Sequence, residues 1–458
     1  MMTMKAGRLL LAGTAALALS AGEALAQTPR EAALEARVNE LEAAVAELRT
    51  ELNAVRAPQG ELPGWRKSTD DKIAALEARP AGPAEGFNVG GTTIKLNGFI
   101  KANAIFSRYD DGDVATGSLG KDFYLAQTIP VGAAREGTDY VGHAKQTRLW
   151  LTMATPVGNH MLKGHVEFDF QTSQGTQGSQ RTTNGYNLAL RRGFVTFGNF
   201  LVGQEWSNFQ YVSALPETTD FVGPTEGTVF VRQMQARYSF VLNPELTLSV
   251  AAENPESATI APASAALVEN DDDRMPDFTA RLNYKASFGE LSLAGLIRQL
   301  SVDNGTQGAR ATGWGVSGAG KLAFGPDKRH DIRFMLSYGD GIGRYLGLNF
   351  APDGVYAGTP GSDILTVANL AGFAAIRFAW TKTVRSTFMA SFQNADYPSG
   401  VVITPLANKR AWSGASNLFW SPVKGFDLGI EYRHGQRELL SGAKGQLDRL
   451  EMAAKYGF

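Results

Sequence analysis

The sequence predicts an all-β transmembrane fold. It is a 16-stranded antiparallel barrel of outer-membrane type, preceded by a short α-helical coiled coil. Three observations predict it. From about Thr92 onward the hydrophobic pattern has period two. Short turns alternate with long polar connections along the same stretch. After the N-terminal segment, no apolar run is long enough to cross a bilayer as a helix, so entry into a membrane requires a closed barrel.

The first element, residues 1–26, reads as a secretory signal peptide. Lys5 and Arg8 precede an apolar core from Leu9 to Leu19, and Ala24-Leu25-Ala26 is a small-x-small cleavage site. The chain has no cysteine, which excludes disulfides, thiolate metal sites and cysteine nucleophiles. Its net charge of -1 gives no nucleic-acid footprint, and nucleic acid is not an expected partner.

Residues 27–57 carry the coiled-coil stalk. Leu34, Val38, Leu41, Val45, Leu48, Leu52 and Val55 recur at alternating spacings of four and three, a heptad seam. Across a parallel pair, Arg37 would face Glu42 and Glu51 would face Arg56. Valine at a with leucine at d leans towards two strands, but so few heptads leave two and three strands both open. Residues 58–91 are a linker, with Pro58, Gly60, Pro63 and Gly64 ending the helix and a weaker helix from Asp70 to Arg79.

Residues 92–458 form the barrel. Ile94, Leu96, Ile100, Ala102, Ala104 and Phe106 share one face of the first strand, and Asn97, Lys101 and Asn103 the other. Similar strands recur to the C-terminus, with charges on their polar faces. A barrel in lipid turns the apolar face outward and the polar face to a wet lumen. Short turns fall near Gly158, Gly198, Pro244, Phe288, Pro326, Lys382 and Lys424. Long connections span 107–145, 171–187, 207–228, 254–275, 302–311, 340–364, 395–407 and 436–447. Fifteen connections join sixteen strands. Phe197, Phe200, Phe240, Phe288, Phe324, Trp380 and Trp420 flank the short turns as an interfacial belt. The terminal Phe458 resembles the assembly signal of outer-membrane barrels. The glycine content, 51 residues, suits a barrel with tight turns and kinks.

The segments LRRGFVTFGNFLVGQEWSNF (190–209) and DFVGPTEGTVFVRQMQARYSF (220–240) resemble the DcaP-like porin family. The close likeness spans roughly residues 145–240, and a heptad stalk before a barrel also fits. The resemblance implies a trimeric channel in the outer membrane of a Gram-negative bacterium, with the stalk in the periplasm. It also implies a preference for small organic anions such as dicarboxylates.

Alternation assigns the lumenal charges. The cations are Lys101, Arg148, Lys163, Arg191, Arg237, Arg281, Lys285, Arg298, Arg333, Arg377, Arg385 and Arg433. They outnumber the acids Glu167, Asp169, Glu205, Glu253, Asp277, Asp427 and Glu431, and rings of arginine and lysine favour anions. Only one of Arg191 and Arg192 can face inward in a regular strand. The third long connection, 207–228, is expected to fold inward as a constriction. It carries Glu217, Asp220 and Glu226 beside Phe209, Tyr211 and Phe221. Acids there, opposite arginines on the wall, would set up a transverse field.

No catalytic or metal motif appears, and no cofactor or metal is expected. The acidic runs at Asp110, Asp111 and Asp113 and at Glu269 and Asp271–Asp273 match no full Ca²⁺ loop. The five histidines form no metal spacing. The reading is a passive porin, not an enzyme. Its expected partners are outer-membrane lipid and lipopolysaccharide, copies of itself as a homotrimer, and small organic anions. Two rivals are an adhesive barrel tethered through its stalk and a lipid hydrolase with a Ser–His pair facing lipid; for the latter, His434 stands at a plausible rim position.

Overall fold

The computed structural model describes residues 86–171, 183–303 and 305–458. The signal peptide, the seam from Leu34 to Val55 and all but the last of the linker lie outside the described residues. The last linker residues are a correction in detail. Phe87–Val89 is a strand that pairs back on residues 92–94 as a hairpin.

Among the described residues, sixteen strands close a barrel. They are β1 (Thr92–Tyr109), β2 (Gly137–His143, resuming as Arg148–Val157), β3 (His160–Asp169), β4 (Ala189–Phe197), β5 (Phe200–Trp206), β6 (Arg232–Asn243), β7 (Leu246–Glu253) and β8 (Asp277–Ala286). There follow β9 (Gly289–Asp303), β10 (Gly308–Phe324), β11 (His330–Asp340), β12 (Ala368–Ala379), β13 (Val384–Asp396), β14 (Asn408–Val423), β15 (Phe426–Leu439) and β16 (Lys444–Gly457). Every neighbouring pair is antiparallel. Closure comes from β1 against β16, with Phe99 opposite Gly457 and Tyr109 opposite Leu447. No strand edge is left unpaired by the closure, which is what a bilayer demands.

Seven short turns lie at one end, the periplasmic end by the usual asymmetry of such barrels. Gly158 adopts a φ of 57°, a left-handed value open to glycine at a tight turn. The expected interfacial belt forms there, with Phe197, Phe200, Phe240, Phe288, Trp380 and Trp420 all exposed on the outer surface. A second belt stands near the other end, where Phe106 packs on Tyr140 and Trp314 meets Tyr338 edge-on. Three of the eight loops are clearly shorter than expected, the first being 110–136 because Gly137–His143 pairs with the end of the first strand. The connections 304–307 and 440–443 are brief because their strands continue past the membrane.

Among the described loops, 207–231 and 341–367 fold into the barrel rather than standing above it. The loop 207–231 places Phe209, Ala214 and Val229 against Leu296, Met335 and Phe373 of the wall. The loop 341–367 adds Ile342, Tyr345 and Leu346 to that cluster. Loops 254–276 and 341–367 also share a small sheet, in which Thr259 lies opposite Gly354. The strict rule of apolar outside and polar inside therefore fails on β9 to β12. There the inward face is apolar where the loops pack against it.

Candidate functional site

The loop 207–231 follows the inner wall for most of its circumference. Near its start, the Asn208 amide donates to Ser249 O at 3.0 Å. Arg281 then donates to Gln210 O, and Arg333 to Leu215 O. Glu217 accepts two hydrogen bonds at 2.7 Å from Arg385, and its backbone oxygen accepts from Asn417 at 2.8 Å. Thr218 Oγ1 and the Thr219 amide both donate to Glu431, at 2.6 and 3.1 Å. Lys101 Nζ donates to Thr219 O and to Gln146 Oε1, both at 2.5 Å. The chain then turns back, and its returning arm packs against the wall at Met335, Gly372 and Phe373. Asp220 accepts from the Tyr124, Val222 and Gly223 amides, and the Tyr124 hydroxyl donates to Glu226 at 3.3 Å.

The loop acids therefore point at their anchors. Glu217 is ion-paired, Asp220 caps backbone amides, and Glu226 is fully buried. Burial pushes the Glu226 carboxyl above the ordinary carboxylate range. The transverse field expected between loop acids and wall arginines is replaced by local neutralisation.

Against Phe221 of the loop, β2 to β6 carry an arginine cluster. Arg191 spans Glu167 (2.8 Å) and Asp169, and Arg148 reaches Asp169 at 3.2 Å. Arg192 binds Glu205 at 2.6 Å and Glu167 at 3.0 Å. Both Arg191 and Arg192 face inward, which corrects the expectation that only one can. A bulge between Glu167 and Phe168 pairs Glu167 with Arg192 and Phe168 with Leu190, leaving Arg191 as the extra residue. Aromatic faces complete the cluster. Arg191 lies over Phe221 at 5.1 Å, Arg148 over Phe99 at 5.5 Å, and Arg232 over Trp206 at 5.0 Å.

A second group lies towards the periplasmic end. Asp331 pairs with Arg333 at 2.6 Å and Arg377 at 2.8 Å, and Lys321 stands directly across from Arg333. Beside it, Arg385 and Lys455 share Asp427 at 3.1 and 3.3 Å.

Depth separates the charges within both groups. Arg333 and Arg377 are 16% and 26% exposed, whereas Asp331 is 3% exposed. Arg192 is 24% exposed against 7% for Glu205. The cations meet water and the carboxylates sit behind them. Two arginines are exceptions: Arg385 is less exposed than its partners Glu217 and Asp427, and Arg191 is buried together with Glu167 and Asp169.

The other expected cations sort by environment. Arg237 faces the lumen with no ion pair among the described residues. Lys163 and Lys285 are exposed near the periplasmic rim, Lys285 with Glu290. Arg298 and Arg433 are buried, Arg298 between Asp277 and Asp353 and Arg433 on Glu431 beneath Tyr124. They, and Lys101, hold loops to the wall and are closed to a solute. Alternation alone would also have found Lys321, Arg449, Glu451 and Lys455, which share the inward parity of their strands. Arg232 was hidden because it falls at a loop end.

A closed sixteen-stranded barrel with inserted loops and a charged lumen is an outer-membrane porin. A model described as DcaP outer membrane protein matches residues 85–458, and the chain belongs to that family. The structure is similar to the outer membrane channel DcaP of Acinetobacter baumannii, with a TM-score of 0.66 and 26% identity over 82% of this chain and 100% of that one. It shares its fold with an anion-selective porin from Comamonas acidovorans, with a TM-score of 0.51 and 11% identity over 80% of this chain and 100% of that one. No curated protein matches the chain.

Proposed function

We propose that the protein is a passive porin that favours small organic anions, dicarboxylates among them. The carrying observation is the layering of charge, with lumenal arginines in water and their carboxylates behind them. A guanidinium fork binds a carboxylate through two parallel hydrogen bonds, so neighbouring arginines suit a solute with two carboxylates. The aromatic faces of Phe221, Phe194 and Phe419 lie against the guanidinium groups of Arg148, Arg192 and Arg385 and orient those forks. In this reading Lys163, Arg148, Arg192, Arg237, Arg281, Arg333, Arg377 and Arg385 line the path. The loop acids Glu217, Asp220 and Glu226 fasten the constriction. Three chains associate in the membrane, with the Leu34–Val55 seam bundling in the periplasm. Lipid and lipopolysaccharide surround the outer face.

The hydrolase reading finds no support at its best histidine. His434 Nδ1 pairs with Asp448 at 2.9 Å, and no serine hydroxyl bonds to His434 among the described residues. Single-channel recording with a series of straight-chain dicarboxylates tests the proposal. Dicarboxylates should interrupt chloride current more than monocarboxylates of equal length, and Arg333→Ala with Arg377→Ala should reduce that difference. Equal interruption by both solute classes would sink it.

A further inference from the structure

A second concentration of positive charge lies outside the pore. On the outer surface, at the loop end of three adjacent strands, Arg410 of β14, Glu438 of β15 and Lys444 of β16 stand side by side. Arg410 reaches Glu438 at 2.7 Å and Lys444 reaches it at 3.8 Å. A third cation joins them. The pairing of β14 with β15 slips between Asn408 and Arg410, and Lys409 is the extra residue. The bulge turns Lys409 out of its alternating place, and its ammonium lies 3.4 Å from the same carboxylate. Three cations thus share one acid. Each cation is about half exposed, whereas Glu438 is 5% exposed. The carboxylate organises the cluster from behind and leaves a surplus of positive charge in front.

The height of this cluster matters. Trp412 lies on the same face of β14, one side-chain repeat nearer the membrane, roughly 7 Å along the strand. Its indole donates to Gln436 at 3.2 Å, so its orientation is fixed. Tyr432 stands further down on β15, with its hydroxyl on Asp448 at 2.6 Å. Tryptophan and tyrosine on the outer surface of a barrel mark the level where acyl chains give way to head groups. Lys409, Arg410 and Lys444 therefore stand at head-group height, facing lipid. Just beyond them Leu406 is exposed. Its loop is pinned to the next one by Leu440 N to Ala407 O and Ser441 N to Pro405 O, both at 2.9 Å. The site is rigid, basic and edged with apolar surface.

We infer that Lys409, Arg410 and Lys444 form a docking site for the phosphorylated head group of an outer-leaflet lipid. Guanidinium and ammonium groups at this depth match phosphate oxygens in charge and hydrogen bonding, and basic clusters beside membrane-spanning segments take up lipid phosphates. Trp412 packs beside the sugar or acyl base of the same lipid. The site deepens the lipid contact proposed above. It rests on the outer-membrane placement of the barrel and is independent of the solute preference of the lumen.

The test is native mass spectrometry of the detergent-solubilised full chain with added lipid A, counting lipid retained per chain. The wild-type protein should retain diphosphorylated lipid A and release the dephosphorylated form. Replacing all three cations by alanine should cut retention at least about tenfold. Replacing Lys409 and Lys444 by arginine should preserve it. Glu438→Gln removes the one balancing charge and should raise retention, a gain that misfolding would not mimic. Single-channel conductance should stay at the wild-type value in all variants, which separates this site from the pore. Undiminished lipid A retention in the triple variant would overturn the inference. So would equal retention of the dephosphorylated lipid, full competition by millimolar inorganic phosphate, or a triple variant whose only change is loss of self-association.

Discussion

Arg191 shows most clearly how one residue depends on its backbone. It is 2% exposed and bridges Glu167 and Asp169, yet alternation alone would have set it against Arg192 for a single inward place. The bulge removes that competition. Arg191→Ala should destabilise the barrel by roughly 2 kcal/mol, less than the roughly 3–5 kcal/mol for breaking an isolated buried pair, because Arg148 and Arg192 still face the same acids. Urea unfolding in detergent micelles would measure it, and a wild-type midpoint would deny the bridge its structural role. Glu226 makes a prediction about pH. Its carboxyl is held above the ordinary range by burial, and it lies against Tyr124 and Arg433. As pH rises past the ordinary carboxylate value, the released loop ionises while the docked loop keeps its proton. Docking therefore weakens with rising pH until the docked group itself ionises, and it is unaffected at lower pH. Amide exchange over residues 220–231 should accelerate from pH 5 to pH 8 beyond the intrinsic base-catalysed rate. Glu226→Gln should remove that excess.

At the scale of the element, the inserted loop is seated by close backbone approach. A Cβ on Gly227 would lie 2.2 Å from the Gly372 oxygen on β12, so this contact admits only glycine. Gly227→Val should lift the returning arm of the loop from the wall without unfolding the strands. The expected result is larger single-channel conductance with an unchanged heat-modifiable band on electrophoresis, and wild-type conductance would contradict it. This element also marks the boundary of what the sequence can tell. Strands are legible because their period is local. The inward position of loop 207–231 is expected from its rank and composition, but its route is not. Residues such as Ala294, Ala319 and Ala371 face inward and are buried only because a distant segment packs on them. No local pattern announces that.

For the whole molecule, strand count and closure follow from connections and alternation, and the structure shows both. The inward parity of the lumenal charges follows as well, apart from the bulge at Arg191. What parity cannot supply is depth. Arg298, Arg333 and Arg377 have the same parity signal, yet Arg298 is sealed between Asp277 and Asp353 while the other two reach water. Which cation meets a solute depends on how the loops fill the barrel. The near-neutral net charge of -1 conceals this arrangement, because it averages buried carboxylates with cations displayed in front of them. The most direct test is the reversal potential of a single channel in a planar bilayer under a potassium chloride gradient. The account predicts a sign that reports chloride passing faster than potassium, moving towards zero in the Arg333→Ala, Arg377→Ala double variant. A potential of the opposite sign, or one that the double variant leaves unchanged, would contradict it.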